Sequence, residues 1–192
     1  MIRIGILGEI GSGKSFVSKQ IGFPVFNADI EVSKLYNSSR KCYLKLKRVL
    51  PNYVNSFPIK KDYLLKAIIE NQANLEKITK IMHPEIRLKM NSFIKKNKNK
   101  KIIVLDIPLL LEKKINKKSD VLIFVEANKK EMNKRLKARL NFNKKIFKKL
   151  KKFQLSVEVK KKKSDFIIKN NFNANFVKRN VKKVIKQILL ND

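Results

Sequence analysis

Gly8-Glu9-Ile10-Gly11-Ser12-Gly13-Lys14-Ser15 decides how the rest of this 192-residue chain is read. The stretch fits G-x-x-x-x-G-K-[ST], the phosphate-binding P-loop pattern. Its flanks fit as well. Ile2-Arg3-Ile4-Gly5-Ile6-Leu7 is an apolar-rich run of strand length, and Phe16-Val17-Ser18-Lys19-Gln20 can continue as a helix. A strand, a Gly-rich turn and a helix form the context in which this pattern works. Glycines let the backbone curl so that N–H groups converge on a phosphate. The helix start adds partial positive charge. Lys14 is expected to reach the β- and γ-phosphates, and the Ser15 hydroxyl to hold Mg²⁺. A chance glycine turn is the alternative. The loop implies a nucleoside triphosphate and says nothing of what receives the phosphate.

Working outward, Gly22 and Pro24 end the first helix. Pro24-Val25-Phe26-Asn27 is predicted as a short second strand, and Ala28-Asp29 opens a helical stretch through Val32, Leu35 and Tyr36. Asp29 thus stands where a strand gives way to a helix. In an open α/β sheet the carboxyl ends of strands line the ligand crevice, although a plain helix N-cap would also favour Asp. Asp62 to Met90 reads as two or three helices with no strand signal. His83-Pro84-Glu85-Ile86-Arg87 is expected to start the last of them, with Pro84 at the first helical position. His83 and Arg87 would then share a face, either toward a site or as a structural histidine and a surface arginine.

Ile102-Ile103-Val104-Leu105-Asp106 has the continuous apolar run of a buried parallel strand. Its terminal Asp106 resembles the second acidic motif of P-loop enzymes, which helps hold Mg²⁺. The apolar Ile107-Pro108-Leu109-Leu110-Leu111-Glu112 could line a substrate pocket or fill the core. Val121 to Val125 is another strand. Arg135 and Arg139, four apart on the following helix, are two of only 7 arginines. Planar guanidinium groups suit the charge that phosphoryl transfer spreads over oxygens; surface arginines on a helix would look the same. Residues 140 to 163 are basic and loosely amphipathic, as a helical cover would be. Asp165 to Asn170 forms a last strand, and apolar residues from Val177 to Leu189 recur at helical spacing. Five strands alternating with helices argue for an α/β fold with a parallel sheet covered on both faces.

Composition bounds the rest. At 43% hydrophobic the chain can bury a core. No apolar run is long enough to span a membrane. A strand from residue 2 leaves no room for a signal peptide. Cys42 is the sole cysteine, which excludes an intrachain disulfide or a Cys-based zinc site and fits a reducing cytoplasm. The net charge of +32 suggests a polyanionic partner. Against that, 40 of the 47 basic residues are Lys, and Asn occurs 20 times, a composition that A/T-rich codons produce. Arg, the better residue for reading bases, is scarce. Runs such as Lys160 to Lys163 read as solvated faces. No specific nucleic-acid partner is expected.

Several motifs now stand in one order. The chain resembles dephospho-coenzyme A kinases, which are P-loop kinases similar to the nucleoside-monophosphate kinases. Residues 5 to 15 are similar to the family's G-L-T-G-G-I-G-S-G-K-S, Asn27-Ala28-Asp29 to D-A-D, and His83 to Arg87 to H-P-x-I-R. Asp106 to Glu112 resembles D-x-P-L-L-F-E, and Arg135 to Arg139 resembles R-L-x-x-R. Gln154, Lys160 and Ser164 to Asn170 follow the family's Q, K and A-D-x-V-I-x-N.

The resemblance implies a P-loop kinase fold. Its five-stranded parallel sheet would form a core over about 1–40, 100–138 and 164–192. A helical acceptor insert would span about 41–99, and a lid about 139–163. It implies Mg²⁺-dependent transfer from ATP to the ribose 3′-hydroxyl of dephospho-coenzyme A; a monomer in the cytoplasm is the expected state. Asp29 would orient or deprotonate that hydroxyl, with Lys14 and Arg139 stabilising transferred charge. Gly8, Gly11, Ser12, Gly13, Lys14, Ser15, Phe16, Arg135, Arg139 and Asn170 would contact ATP. His83, Arg87, Pro108, Leu109 and Leu110 would join Asp29 on the acceptor. Ser15 would bind Mg²⁺, and Asp106 would do so through water. Asn27 departs from the first Asp of D-A-D, Glu9 from a common Gly, Leu111 from Phe, and Lys61 from an Arg. A nucleoside or nucleotide kinase and a nucleic-acid-dependent ATPase are the competing functions.

Overall fold

The computed structural model describes residues 1–138 and 142–190. Five strands make one parallel sheet: β1 (Ile2–Gly8), β2 (Val25–Asn27), β3 (Ile102–Asp106), β4 (Val121–Ala127) and β5 (Phe166–Asn170). Their order is β2-β3-β1-β4-β5. The described helices are α1 (Lys14–Gln20), α2 (Ala28–Ser38), α3 (Arg40–Val49), α4 (Lys61–Glu70), α5 (Ala73–Lys96), α6 (Lys129–Lys137), α7 (Lys144–Lys152), α8 (Val157–Lys162) and α9 (Ala174–Leu190).

Strand order places chemistry at one edge. The chain leaves β1 in the middle of the sheet, with β3 on one side and β4 on the other. Such a switch point opens a crevice beyond the carboxyl ends of the strands. Register aligns those ends: Asn27 lies opposite Asp106, Gly8 opposite Val125, and Ala127 opposite Asn170. The P-loop and the strand-terminal Asn27, Asp106 and Asn170 therefore lie along one edge.

Period-two alternation sorts the strand side chains. Ile4, Ile6, Val104, Ile123, Val125 and Ile168 share a core with Val17 and Ile21 of α1 and the apolar stripe of α9. Burying each such side chain contributes about 2 kcal/mol. Gly5 is required by close approach. A Cβ there would stand 2.5 Å from Leu110 Cδ2 and 2.8 Å from Leu122 Cδ2. Leu110 is fully buried, so its side chain fills the core and cannot line a pocket.

Contacts divide the chain into two compact units. One comprises Met1–Asn27, Asn97–Asn143 and Phe147–Asp192; the other comprises Ala28–Lys96 and Lys144–Ile146. The helical unit has its own core, which includes Leu35, Cys42, Leu46, Leu64, Ile68, Ile78 and Met82. It begins at Ala28, ahead of the border near residue 41 drawn from sequence, because α2 packs on α3 and α5.

The structure corrects two readings. Pro84 does not open a helix; it lies inside the 24-residue α5. Proline removes one intrahelical bond there, but Ile78, Met82 and Met90 are buried on either side of it, with Ile86 half-buried between. That i+4 stripe holds the helix continuous. Lys160 is also not solvated. It is 2% exposed, for a reason taken up below.

Candidate active site

The site is built first from backbone. After β1 the chain turns through residues 9–13, and α1 begins at Lys14. Gly13 caps that helix with φ 87°, a left-handed conformation, and a Cβ there would meet Asn170 Nδ2 at 2.2 Å. Only glycine satisfies both demands. Asn170 is buried and clamps the loop: its Nδ2 donates to Ser12 O at 2.8 Å, and its Oδ1 accepts from Phe172 N–H at 2.8 Å. Both ends of this amide are thus engaged by protein, which makes Asn170 a brace for the loop. The Ser12 hydroxyl is 1% exposed and has no hydrogen-bond partner among the described residues. Native folds rarely leave such a group unmet outside functional sites.

Lys14 Nζ donates to Gly8 O at 3.2 Å and Glu9 O at 2.8 Å. The ammonium is folded against the loop that its own backbone helps to form. Ser15 and Phe16 are exposed on the first turn of α1.

Beside them lies a polar cluster. Asn27 Nδ2 is 2.5 Å from Asp106 Oδ2 and 3.3 Å from Ser15 Oγ. Contact this close to a carboxylate requires the amide nitrogen, not its oxygen. Asp106 is buried, 3% exposed. One nitrogen reaches both oxygens, so the hydroxyl and the carboxylate are close enough to share one small cation, directly or through its water. A hydroxyl and a carboxylate oxygen are donors that suit Mg²⁺, which keeps several waters. Among the described residues no group of three or more His, Cys, Asp or Glu forms a denser metal site.

Arg135 is exposed on α6, and its guanidinium stacks 4.3 Å from the centroid of the Phe172 ring. Phe172 has φ 62° and is held by the Asn170 bond. Sequence reasoning passed over Phe172; its place two residues after Asn170 was the available signal. Arg139 lies outside the described residues. Pro108 and Leu109 are half-exposed in the turn after β3.

The helical unit carries the remaining candidates. Asp29 is exposed in the first turn of α2, inside the helix and not capping it. His83 and Arg87 are exposed on α5, one turn apart. Glu85 between them is 2.7 Å from Lys41 Nζ, and this hydrogen bond raises the Lys41 pKa. Burial, then Cys42, pushes the Tyr36 hydroxyl up to about 12.

With this geometry in view, the comparisons decide the family. The family model described as dephospho-CoA kinase matches residues 2–175. The chain belongs to the dephospho-CoA kinase family. A dephospho-CoA kinase from Wolbachia pipientis wMel is 33% identical, with 98% of each chain covered. One from Bartonella quintana (strain Toulouse) is 34% identical at the same coverage. The solved dephospho-CoA kinase from Campylobacter jejuni has 23% identity and a TM-score of 0.66, covering 97% of this chain and 96% of its own; it supports the fold. The dephospho-CoA kinase activity is transfer of phosphate from ATP to a 3′-hydroxyl, the final step of coenzyme A synthesis. Within the family pattern, this chain's Asn27 is the departure with a visible consequence: an amide bridges Ser15 and Asp106.

Proposed function

We propose that this chain transfers the γ-phosphoryl group of ATP to the ribose 3′-hydroxyl of dephospho-coenzyme A, releasing ADP and coenzyme A. The observation that carries the proposal is the P-loop edge, where Gly13, Ser12, Asn170, Ser15, Asn27 and Asp106 interlock in a chain of this family.

Phosphoryl transfer needs positioning and charge stabilisation more than covalent chemistry. The loop amides and the Ser12 hydroxyl would cradle the phosphates. Lys14 would exchange its bonds to Gly8 and Glu9 carbonyls for phosphate oxygens. Ser15 and Asp106 would hold Mg²⁺, which neutralises charge on the phosphates when bound. Asn27 would adjust its amide to that change. Asp29, two residues after Asn27, would orient the 3′-hydroxyl. A carboxylate is a weak base, but a loose transition state asks for little proton abstraction. His83, Arg87, Pro108 and Leu109 would bind the acceptor, and the buried Leu110 would support the Pro108–Leu109 turn by packing on Gly5. Arg135 and Phe172 would border the nucleotide, and Arg139 would bring charge with the lid. Lid closure would limit hydrolysis by excluding water. The expected setting is the cytoplasm and the expected state a monomer. Among the described residues no helix is long and apolar enough to cross a membrane.

The test is an acceptor panel. Purified protein with ATP and Mg²⁺ is given dephospho-coenzyme A, nucleosides and nucleoside monophosphates in turn. ADP release dependent on dephospho-coenzyme A, with coenzyme A identified by mass, is the expected result. Efficient phosphorylation of a nucleoside monophosphate without that of dephospho-coenzyme A would replace the proposal with a nucleotide kinase.

A further inference from the structure

Of 40 lysines in the chain, Lys160 is the one among the described residues that is buried. Its Nζ lies 2.9 Å from Glu112 Oε1, and the two side chains are 2% and 8% exposed. The same Glu112 oxygen accepts the Leu155 N–H at 2.9 Å. Glu112 lies within the turn that follows β3, residues 108–114. Leu155 immediately precedes Ser156, the N-cap of α8, and Lys160 lies within that helix. One carboxylate therefore ties the entry of α8 and a side chain from its body to the Pro108–Glu112 turn.

Stability alone does not account for this pair. Burying two charges carries a desolvation cost that their attraction often fails to exceed, and an apolar pair of similar volume commonly does as well or better. A charged pair supplies direction instead: two donors converging on one oxygen fix the register of α8 against the turn. The turn is fixed at its other side too. Leu110 is wedged over Gly5, and its carbonyl accepts the Ile115 N–H at 3.0 Å. Pro108 and Leu109 are held half-exposed between these anchors.

We propose that Glu112 and Lys160 are positioning residues for the acceptor. They hold the Pro108–Leu109 edge in the shape that receives dephospho-coenzyme A and join it to the segment returning from the basic cover. The inference rests on the kinase reading above. It adds residues that touch neither substrate and act through the turn.

The test compares wild type with Lys160→Met and with the charge-free double variant Glu112→Leu/Lys160→Met, by thermal unfolding and by kinetics with each substrate varied. Lys160→Met leaves a buried carboxylate without its cation, so its melting temperature falls. The double variant regains most of that loss. Its KM for dephospho-coenzyme A nevertheless stays about tenfold above wild type, while its KM for ATP changes less than about twofold. A double variant with wild-type KM for the acceptor would overturn the proposal and leave the pair purely structural. Should that variant not fold, Glu112→Gln takes its place, because the amide keeps the side chain's shape and an oxygen for Leu155 N–H but removes the charge that holds Lys160. A selective rise in acceptor KM supports the proposal, and equal change in both KM values overturns it. Wild-type protein that makes ADP with another acceptor, and none with dephospho-coenzyme A, would remove the kinase reading and this inference together.

Discussion

The P-loop and the His83–Arg87 stretch are both proposed to meet ligands, yet they are built in opposite ways. The loop is proposed to act through backbone shape, and the contacts that hold the shape are buried or partly buried: Gly13 against Asn170, Asn170 against Ser12, Asn27 against Asp106. The α5 stretch is proposed to act through two exposed side chains, on a helix whose opposite face is core. Where function lies in backbone shape, fold and function share the same contacts and fail together. Where it lies in exposed side chains, function can be removed and the fold kept.

Asp29 gives the largest break between the two. It is exposed in the first turn of α2, so Asp29→Asn should leave the melting temperature nearly unchanged. Turnover should fall by about 100-fold or more, the scale for removing a positioned acid–base group. ATP binding, measured by calorimetry, should hold. Turnover near wild type would show that the chemistry does not run through this carboxylate. Gly13→Ala is the opposite case. It forces a left-handed φ on a residue with a Cβ and drives that Cβ into the Asn170 amide. Together these should cost about 3 kcal/mol of stability in urea unfolding, with the ATP-induced thermal shift lost as well. A stable variant that had lost only ATP affinity would separate what the structure joins.

That contrast also explains what was legible in the sequence. The P-loop, the apolar strands and the strand-ending Asp106 could be read because each is local: a spacing of glycines, an unbroken apolar run, a polar residue at its end. Pro84 was misplaced because a local rule, proline at the first turn, competed with a longer signal. The stripe Ile78, Met82, Ile86, Met90 runs straight through it and was there to be counted. Lys160 was hidden for another reason. Its burial depends on Glu112, far away in the chain; the family match singles out Lys160 from its run of lysines but does not say that it turns inward. Leu110 could equally have been pocket or core until Gly5 was seen beneath it. Asn27 was recognised as a departure from the family pattern, but its bridge between Ser15 and Asp106 exists only once β2 and β3 lie side by side.

Arg87 tests the exposed half of the comparison more gently. Arg87→Ala on the solvent face of α5 should raise KM for dephospho-coenzyme A about tenfold, with KM for ATP and the unfolding midpoint unchanged. A matching loss of stability would mean that the α5 stretch is built as the loop is.

Asn27 gives the smallest effect and separates two ions' worth of electrostatics. Its amide nitrogen now lies 2.5 Å from Asp106 Oδ2. In Asn27→Asp a carboxylate would face a carboxylate at that distance, and without a cation the two repel. Because Asn27 is half-exposed, water screens much of this, and the expected loss is about 1 kcal/mol in the presence of a chelator. Adding Mg²⁺ reverses the sign of the change: the second carboxylate becomes a ligand, directly or through water. Thermal unfolding across a Mg²⁺ titration with ATP absent should start below wild type and rise more steeply, with its midpoint at lower Mg²⁺. The readout needs no turnover, so it bears on the metal and not on the acceptor. Parallel titration curves would mean that the Asn27 amide only braces the loop, and that the Mg²⁺ ligands do not include this corner of the sheet.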